Sequence, residues 1–321
     1  MEPRTALSAS ELLGGVLISL MEDSIPCRAP DRQGGGIYTC LWVVNGLSTI
    51  GEIVSGDCFF PGDIVKFPHS RISRTTNMNT SETEYQKECF SRTLLALGDK
   101  AFAALSNARA AVFGVGGVGG WCAEALVRTG IGHIEIVDCD DIVPSNANRQ
   151  VIATSETVGE PKVEALSRRL TAINPNADIR AVKARYCTET TGNFDLASFD
   201  YVIDAIDSVR DKALLVRSAL DAQRPVLFSS MGAALRFDPT RVRATTFDKV
   251  SGDGLARALR KALRESGGIP AKKFTCVWSD EPPAENSADG IARGSLVQVT
   301  AVFGCTLAGL VVNDLRGKLD G

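Results

Sequence analysis

A short apolar run at 110–113 ends in glycines at 114, 116, 117 and 119, and a helical pattern carrying Trp121, Ala125 and Leu126 follows at once. Strand, tight turn and helix packed into so few residues restrict the fold severely. Glycine lets the backbone take a positive φ and approach a phosphate with no side chain in the way. The start of the helix then offers unpaired N–H groups and the positive end of its dipole to an anion. Gly114, Gly116 and Gly119 also satisfy the spacing G-x-G-x-x-G, so the turn by itself means either a dinucleotide or a nucleotide.

From residue 109 onward strands and helices alternate. Strands are expected at 109–115, 133–137, 179–182, 199–204 and 225–229, and helices at 119–130, 162–173 and 208–222. That alternation predicts an α/β protein with a doubly wound, mostly parallel, Rossmann-like sheet. After residue 230 the pattern shifts to a strand at 241–247, a helix at 253–265, a strand at 274–278, a polar loop at 279–294 and a last apolar helix, which reads as a C-terminal α+β extension. Gln298, Thr300, Thr306 and nearby glycines make that last helix a core helix and not a membrane span. Residues 85–105 read as one helix. Residues 1–77 are broken by Gly34-Gly35-Gly36, Pro26, Pro30, Pro61 and Pro68, with one strand-like run at 38–44. They read as a poorly structured extension, or as a mis-assigned start with the working protein beginning near Met78. The rest, 78–321, reads as one domain, within which 233–294 is basic and faces the substrate.

Composition removes several function classes. Nine cysteines form no C-x-x-C pair and there are only two histidines, His69 and His133, so a structural zinc site is not expected. An odd cysteine count and a first stretch lacking secretory features favour reduced thiols in the cytoplasm. The net charge of −3 gives no general attraction to nucleic acid but leaves room for a local basic surface.

The residues after the glycine turn narrow its ligand. Asp138 ends the second strand, where a carboxylate accepts ribose hydroxyls of either NAD or ATP. Ser145-Asn146-Ala147-Asn148-Arg149-Gln150 is a cluster that a dehydrogenase does not need. Arg149 brings a planar fork suited to a triphosphate, and Asn146 and Asn148 can hold phosphate or ribose oxygens. Lys162 opens a helix, where a cation opposes the dipole unless an anion compensates it. Asp204 and Asp207 follow an apolar strand, and two such carboxylates could hold Mg²⁺ together with phosphates, although one could equally cap the next helix.

In order and spacing these stretches resemble the ubiquitin-activating-enzyme-like (ThiF-type) adenylating family. The matching text is Gly114-Val115-Gly116-Gly117-Val118-Gly119, Ile136-Val137-Asp138-Cys139-Asp140-Asp141, the Ser145 to Gln150 cluster, Val158-Gly159-Glu160-Pro161-Lys162 and Asp204-Ala205-Ile206-Asp207-Ser208. The resemblance implies attack of a carboxylate on the α-phosphate of ATP, giving an acyl-adenylate and pyrophosphate. It implies that Gly114, Gly116, Gly117 and Gly119 cradle ATP, that Asp138 binds the ribose with Asp140 beside it, and that Asn148, Arg149 and Lys162 contact phosphates. Asp207 is then placed at Mg²⁺ and the α-phosphate, and Arg149, Lys162 and Asp207 carry the catalysis.

Within the family, Arg128-Thr129-Gly130-Ile131-Gly132, Asn148-Arg149-Gln150, Ile173-Asn174-Pro175, Phe237-Asp238-Pro239-Thr240 and Cys276-Val277-Trp278-Ser279-Asp280-Glu281 are similar to the branch that dehydrates threonylcarbamoyladenosine beside a tRNA anticodon. Sulfur-carrier adenylators usually carry two C-x-x-C pairs, which this chain lacks. The branch implies adenylation of the threonyl carboxylate, ring closure with loss of AMP, a homodimer, and room for a sulfur-transfer protein partner. No catalytic weight falls on Cys276. The alternatives are adenylation of the Gly-Gly end of a ubiquitin-like or sulfur-carrier protein, and a non-catalytic nucleotide-binding scaffold. An NAD-dependent oxidoreductase comes third.

A tRNA partner has one sign of its own. Between 236 and 273 there are ten lysines and arginines against four acids. In the helix at 253–265, Leu255, Leu259, Ala262 and Leu263 form an apolar stripe, and Arg257, Arg260, Lys261 and Arg264 share the other side, where they could follow a phosphate backbone.

Overall fold

A computed structural model describes residues 37–44, 47–54, 88–284 and 294–320. The chain divides into two units, 1–81 and 82–321. In the first, β1 (Ile37–Val44) and β2 (Leu47–Val54) form an antiparallel hairpin, longer than the single run expected at 38–44. His69, Met78 and the rest of the extension lie outside the described residues.

The second unit opens with α1 (Ser91–Leu97) and α2 (Asp99–Asn107). Here the expected single helix is wrong. Gly98, at φ +77°, ends one helix and starts the next, a conformation only glycine takes without strain. Then follow β3 (Arg109–Phe113), α3 (Gly119–Thr129), β4 (His133–Asp138), α4 (Lys162–Ile173), β5 (Asp178–Lys183) and β6 (Tyr201–Asp204). The chain continues through α5 (Val209–Asp221), β7 (Val226–Ser230), β8 (Val242–Thr246), α6 (Gly254–Glu265), β9 (Thr275–Ser279) and α7 (Val297–Asp320).

The seven strands of this unit pair in the order β5-β4-β3-β6-β7-β9-β8, all parallel except β8, which runs antiparallel to β9. The sheet is therefore doubly wound, as the alternation predicted. Both faces are covered, so the central strands are largely apolar, with Glu135, Asp204, Ser229 and Ser230 as buried polar exceptions. Ala110, Val112, Ile134, Ile136, Tyr201 and Ile203 face α2, α3, α4 and α7, and Ala111, Phe113, Val137 and Val202 face α5 and α6.

The last helix is long and apolar enough to cross a membrane by length and composition. In this fold Val299, Phe303, Leu307 and Val311 are buried on one side of it, within the core. Gly304 makes the closest approach: a Cβ there would stand 2.5 Å from the Val118 carbonyl oxygen, so glycine lets α7 touch the start of α3. Gly309, by contrast, faces open space.

Candidate nucleotide site

The order of winding reverses between β3 and β6, and open α/β sheets bind ligands at the carboxyl edge of such a crevice. Gly114 leaves β3 at φ +85°, and an added Cβ would meet the Ala205 carbonyl oxygen at 2.7 Å. Gly119 is tighter still, since its Cβ would lie 1.8 Å from the Gly114 carbonyl oxygen. Gly116 is open, with Gln150 Nε2 its nearest neighbour at 3.7 Å. The amides of Gly116 and Gly117 find no acceptor among the described residues. The turn thus combines two glycines required by packing with two that leave backbone N–H groups for an anion.

Asp138 clamps this turn. Its Oδ2 accepts from the Val115 amide at 2.8 Å and its Oδ1 from the Asp140 amide at 2.9 Å. Each oxygen keeps a second lone pair for a ribose hydroxyl. Lys162, the first residue of α4, is buried, and its Nζ stands 2.7 Å from Asp140 Oδ2 and 3.8 Å from Asp138 Oδ1. The compensating anion at this helix start is therefore a pair of carboxylates. The hydrogen bond from Lys162 holds the Asp140 carboxyl below the usual range. Acid should loosen this contact, because a depressed carboxyl pKa contributes stability above its unfolded value that is lost as pH falls through the folded one.

Arg149 lies against Gly117, whose Cβ would be 3.2 Å from its Cγ. Arg149 Nη1 donates to the Ser145 carbonyl at 3.0 Å and to Asn148 Oδ1 at 2.9 Å, and Trp121 Nε1 donates to its carbonyl oxygen at 3.0 Å. Its remaining N–H groups have no acceptor among the described residues, so the guanidinium is held through Nη1 while the stem beside Gly117 carries the unpaired rest of the fork. Asn148 Nδ2 donates to the Ser295 carbonyl at 2.8 Å, tying the cluster to the segment just before α7. Asn146 differs from expectation. It is buried, and its Oδ1 accepts from the Val143 amide at 3.1 Å, so it closes the loop and does not face a phosphate.

The two carboxylates after β6 separate in the same way. Asp204 is fully buried, 2.8 Å from Lys212 Nζ, and it accepts from Ser229 Oγ at 2.6 Å and from the Ile206 amide at 3.1 Å. Fully buried and paired with Lys212, it shapes the loop and is not presented to a metal at the crevice surface. Asp207 is exposed, with no hydrogen bond among the described residues, and Ser208 occupies the cap position of α5. The pair therefore reduces to Asp207 alone. Lys212, Ser229 and Trp121 were missed by sequence reasoning, because nothing local marks a lysine on a helix as the partner of a carboxylate on a strand.

Burial pushes the Cys276 thiol far up, beside Lys212 and Asp204, which leaves it protonated and inert. His133 is at the opposite edge of the sheet, 3.3 Å from Asp178, in a cavity of about 380 Å³ that also includes Arg109 and Phe194. On α6 the basic stripe is smaller than expected. Arg260 donates to the carbonyls of Phe247 at 2.7 Å and Val250 at 2.5 Å and covers the Phe247 ring, so it serves the fold. Arg257, Lys261 and Arg264 remain exposed.

A crevice at the switch point that ends in backbone amides, an oriented guanidinium and an unengaged carboxylate defines a nucleotide-binding α/β protein built to handle a polyphosphate. The chain belongs to the ThiF family, whose model matches residues 90–319. It is 43% identical over 194 residues to the tRNA threonylcarbamoyladenosine dehydratase of Bacillus subtilis, covering 60% of this chain and 75% of that protein. It is 36% identical over 209 residues to the protein of the same name from Escherichia coli, covering 64% and 78%. Among solved structures, the Escherichia coli enzyme in complex with ATP superimposes with a TM-score of 0.69 at 34% identity, covering 75% of this chain and 98% of that one.

Proposed function

We propose that this protein uses ATP to activate the threonyl carboxylate of threonylcarbamoyladenosine in tRNA and then closes the ring. The relative at 43% identity carries this reading, and the similar solved enzyme is bound to ATP. A carboxylate oxygen attacks the α-phosphorus and pyrophosphate leaves. A carbamoyl heteroatom of the same side chain then attacks the activated carbonyl and loses its proton. AMP departs with the former carboxylate oxygen, so the nucleoside has lost the elements of water. The second step is intramolecular, and positioning can supply much of its rate.

The chain's own groups meet the electrostatic problem, which is to bring two anions together. The amides of Gly116 and Gly117 and the free fork of Arg149 draw charge from the phosphates, and Asp138 orients the ribose. Asp207 fits Mg²⁺, which takes one or two carboxylates and fills its other positions with phosphate oxygens and water. Bound there, the ion would stabilise charge on the phosphate oxygens. Lys162 can turn from Asp140 to a phosphate. A homodimer and a cytoplasmic tRNA-modifying role belong to the same reading.

Purified protein, ATP and tRNA bearing the threonylcarbamoyl nucleoside are expected to yield the dehydrated cyclic nucleoside by mass spectrometry, with one AMP per ring closed. ATP–pyrophosphate exchange that responds only to a carrier protein ending in Gly-Gly would replace this reading with the carrier reading. No exchange with either would leave a binding scaffold. Reversing Arg257, Lys261 and Arg264 to glutamate is expected to weaken tRNA binding about tenfold or more at moderate salt and to flatten its salt dependence, with ATP affinity unchanged. Unaltered tRNA affinity in a filter-binding series would remove this face from the interface.

A further inference from the structure

Arg236 is a buried cation that the steps above do not use. It lies in the turn leaving β7, on the carboxyl edge of the sheet that carries the nucleotide site, with 2% of its surface exposed. Its Nε and Nη1 are buried with no hydrogen-bond partner among the described residues. Nη2 stands 3.7 Å from Asp253 Oδ2, too far for a hydrogen bond. Asp253 is itself committed, accepting from the Ala256 amide at 2.7 Å and from the Gly232 amide at 3.1 Å. It balances the charge of Arg236 without taking its donors. Buried polar groups are almost always hydrogen-bonded, so orphaned donors on a buried guanidinium call for an acceptor that the described residues do not supply.

The position of Arg236 indicates which acceptor. Leu235, just before it, is held at φ +60° by two backbone hydrogen bonds: its amide donates to the Gly294 carbonyl at 2.9 Å, and its carbonyl accepts from the Ala284 amide at 2.9 Å. Ser295, next to Gly294, accepts from Asn148, which in turn accepts from Arg149. A short run of bonds thus ties the Arg236 turn to the residue that orients the Arg149 fork. At the foot of the same turn, Ser229 binds Asp204 under the loop that presents Asp207. The β3–β4 side of the crevice already holds the groups suited to phosphate. The anion still lacking a counter-charge is the attacking carboxylate, and a guanidinium matches its geometry.

We propose that Arg236 receives the substrate carboxylate and that Asp253 positions Arg236 for it. The inference rests on the function proposed above. Its test is competition between two anticodon stem-loop RNAs, one carrying the free threonyl carboxylate and the other its carboxamide, for protein loaded with a non-hydrolysable ATP analogue. The wild type is expected to favour the carboxylate on the order of 10²-fold, since a site built to pair a polar group rejects analogues lacking it. Arg236→Met and Arg236→Gln are expected to bind both RNAs alike, with unchanged affinity for the ATP analogue. Either folded variant retaining the wild-type preference overturns the proposal. So does a wild type that converts the carboxylate RNA yet shows no preference, whatever the variants do. A wild type that converts no such RNA overturns the functional reading and this inference with it.

Discussion

A Gly119→Ala protein is expected to bind ATP at least about 100-fold more weakly than the wild type, because it must both relieve an overpacked contact and re-aim the anion-binding turn. The added methyl would meet the Gly114 carbonyl oxygen at 1.8 Å and the Ala205 Cβ at 3.1 Å. Both neighbours are fixed: Gly114 donates to the Val137 carbonyl at 2.8 Å, and Ala205 donates to the Phe113 carbonyl at 2.8 Å. α3 has to move outward, and the amides at its start move with it. The matching control is Gly116→Ala, whose Cβ has no neighbour nearer than 3.7 Å and so leaves the melting temperature near that of the wild type. Titration calorimetry and thermal unfolding of the two variants measure the difference. Wild-type ATP affinity in Gly119→Ala would show that the turn does not hold the nucleotide.

Arg149→Ala is expected to lower the rate of adenylation about 10²–10³-fold, the usual cost of losing one preorganised group aimed at developing charge. The preorganisation is visible in the fold: Ser145 and Asn148 hold Nη1, the stem lies against Gly117, and the rest of the fork has no partner among the described residues. Arg149→Lys should recover little, since an ammonium on a flexible stem cannot make the same planar contacts. Asn148→Ala should cost less than Arg149→Ala, because it removes the orientation and keeps the charge. Single-turnover measurement of tRNA-dependent AMP formation reads all three. A rate for Arg149→Ala within a few-fold of the wild type would take Arg149 out of the chemistry.

Much of this protein is legible from local pattern, and particular residues show where legibility stops. The alternation from 109 to 230 announces the doubly wound sheet because strands covered on both faces are mostly apolar and the helices between them keep their own period. The break at Gly98 is invisible to that reading, since residues on either side of it are good helix formers and only the φ of one residue separates two helices. Arg260 looks like its neighbours on a basic face, yet the backbone carbonyls of Phe247 and Val250, contributed by the segment before the helix, claim its guanidinium. Asn146 and Asn148 are two residues apart and chemically identical, but one points into its loop and the other outward.

The glycine spacing, the carboxylate at the end of the second strand and the Arg149 cluster announce a nucleotide site from the chain alone, because each expresses a local need: space at a turn, a strand end, a planar cation beside it. The tertiary structure decided which of those charges remain available. Asp204 is neutralised by a lysine eight positions on and hydrogen-bonded by a serine from the neighbouring strand, whereas Asp207, three positions later, has no partner among the described residues. Arg236 keeps donors without a partner among the described residues, because the nearby carboxylate already caps a helix. The strength of a charge depends on its partners and on its burial, and both are supplied by segments far away in the sequence.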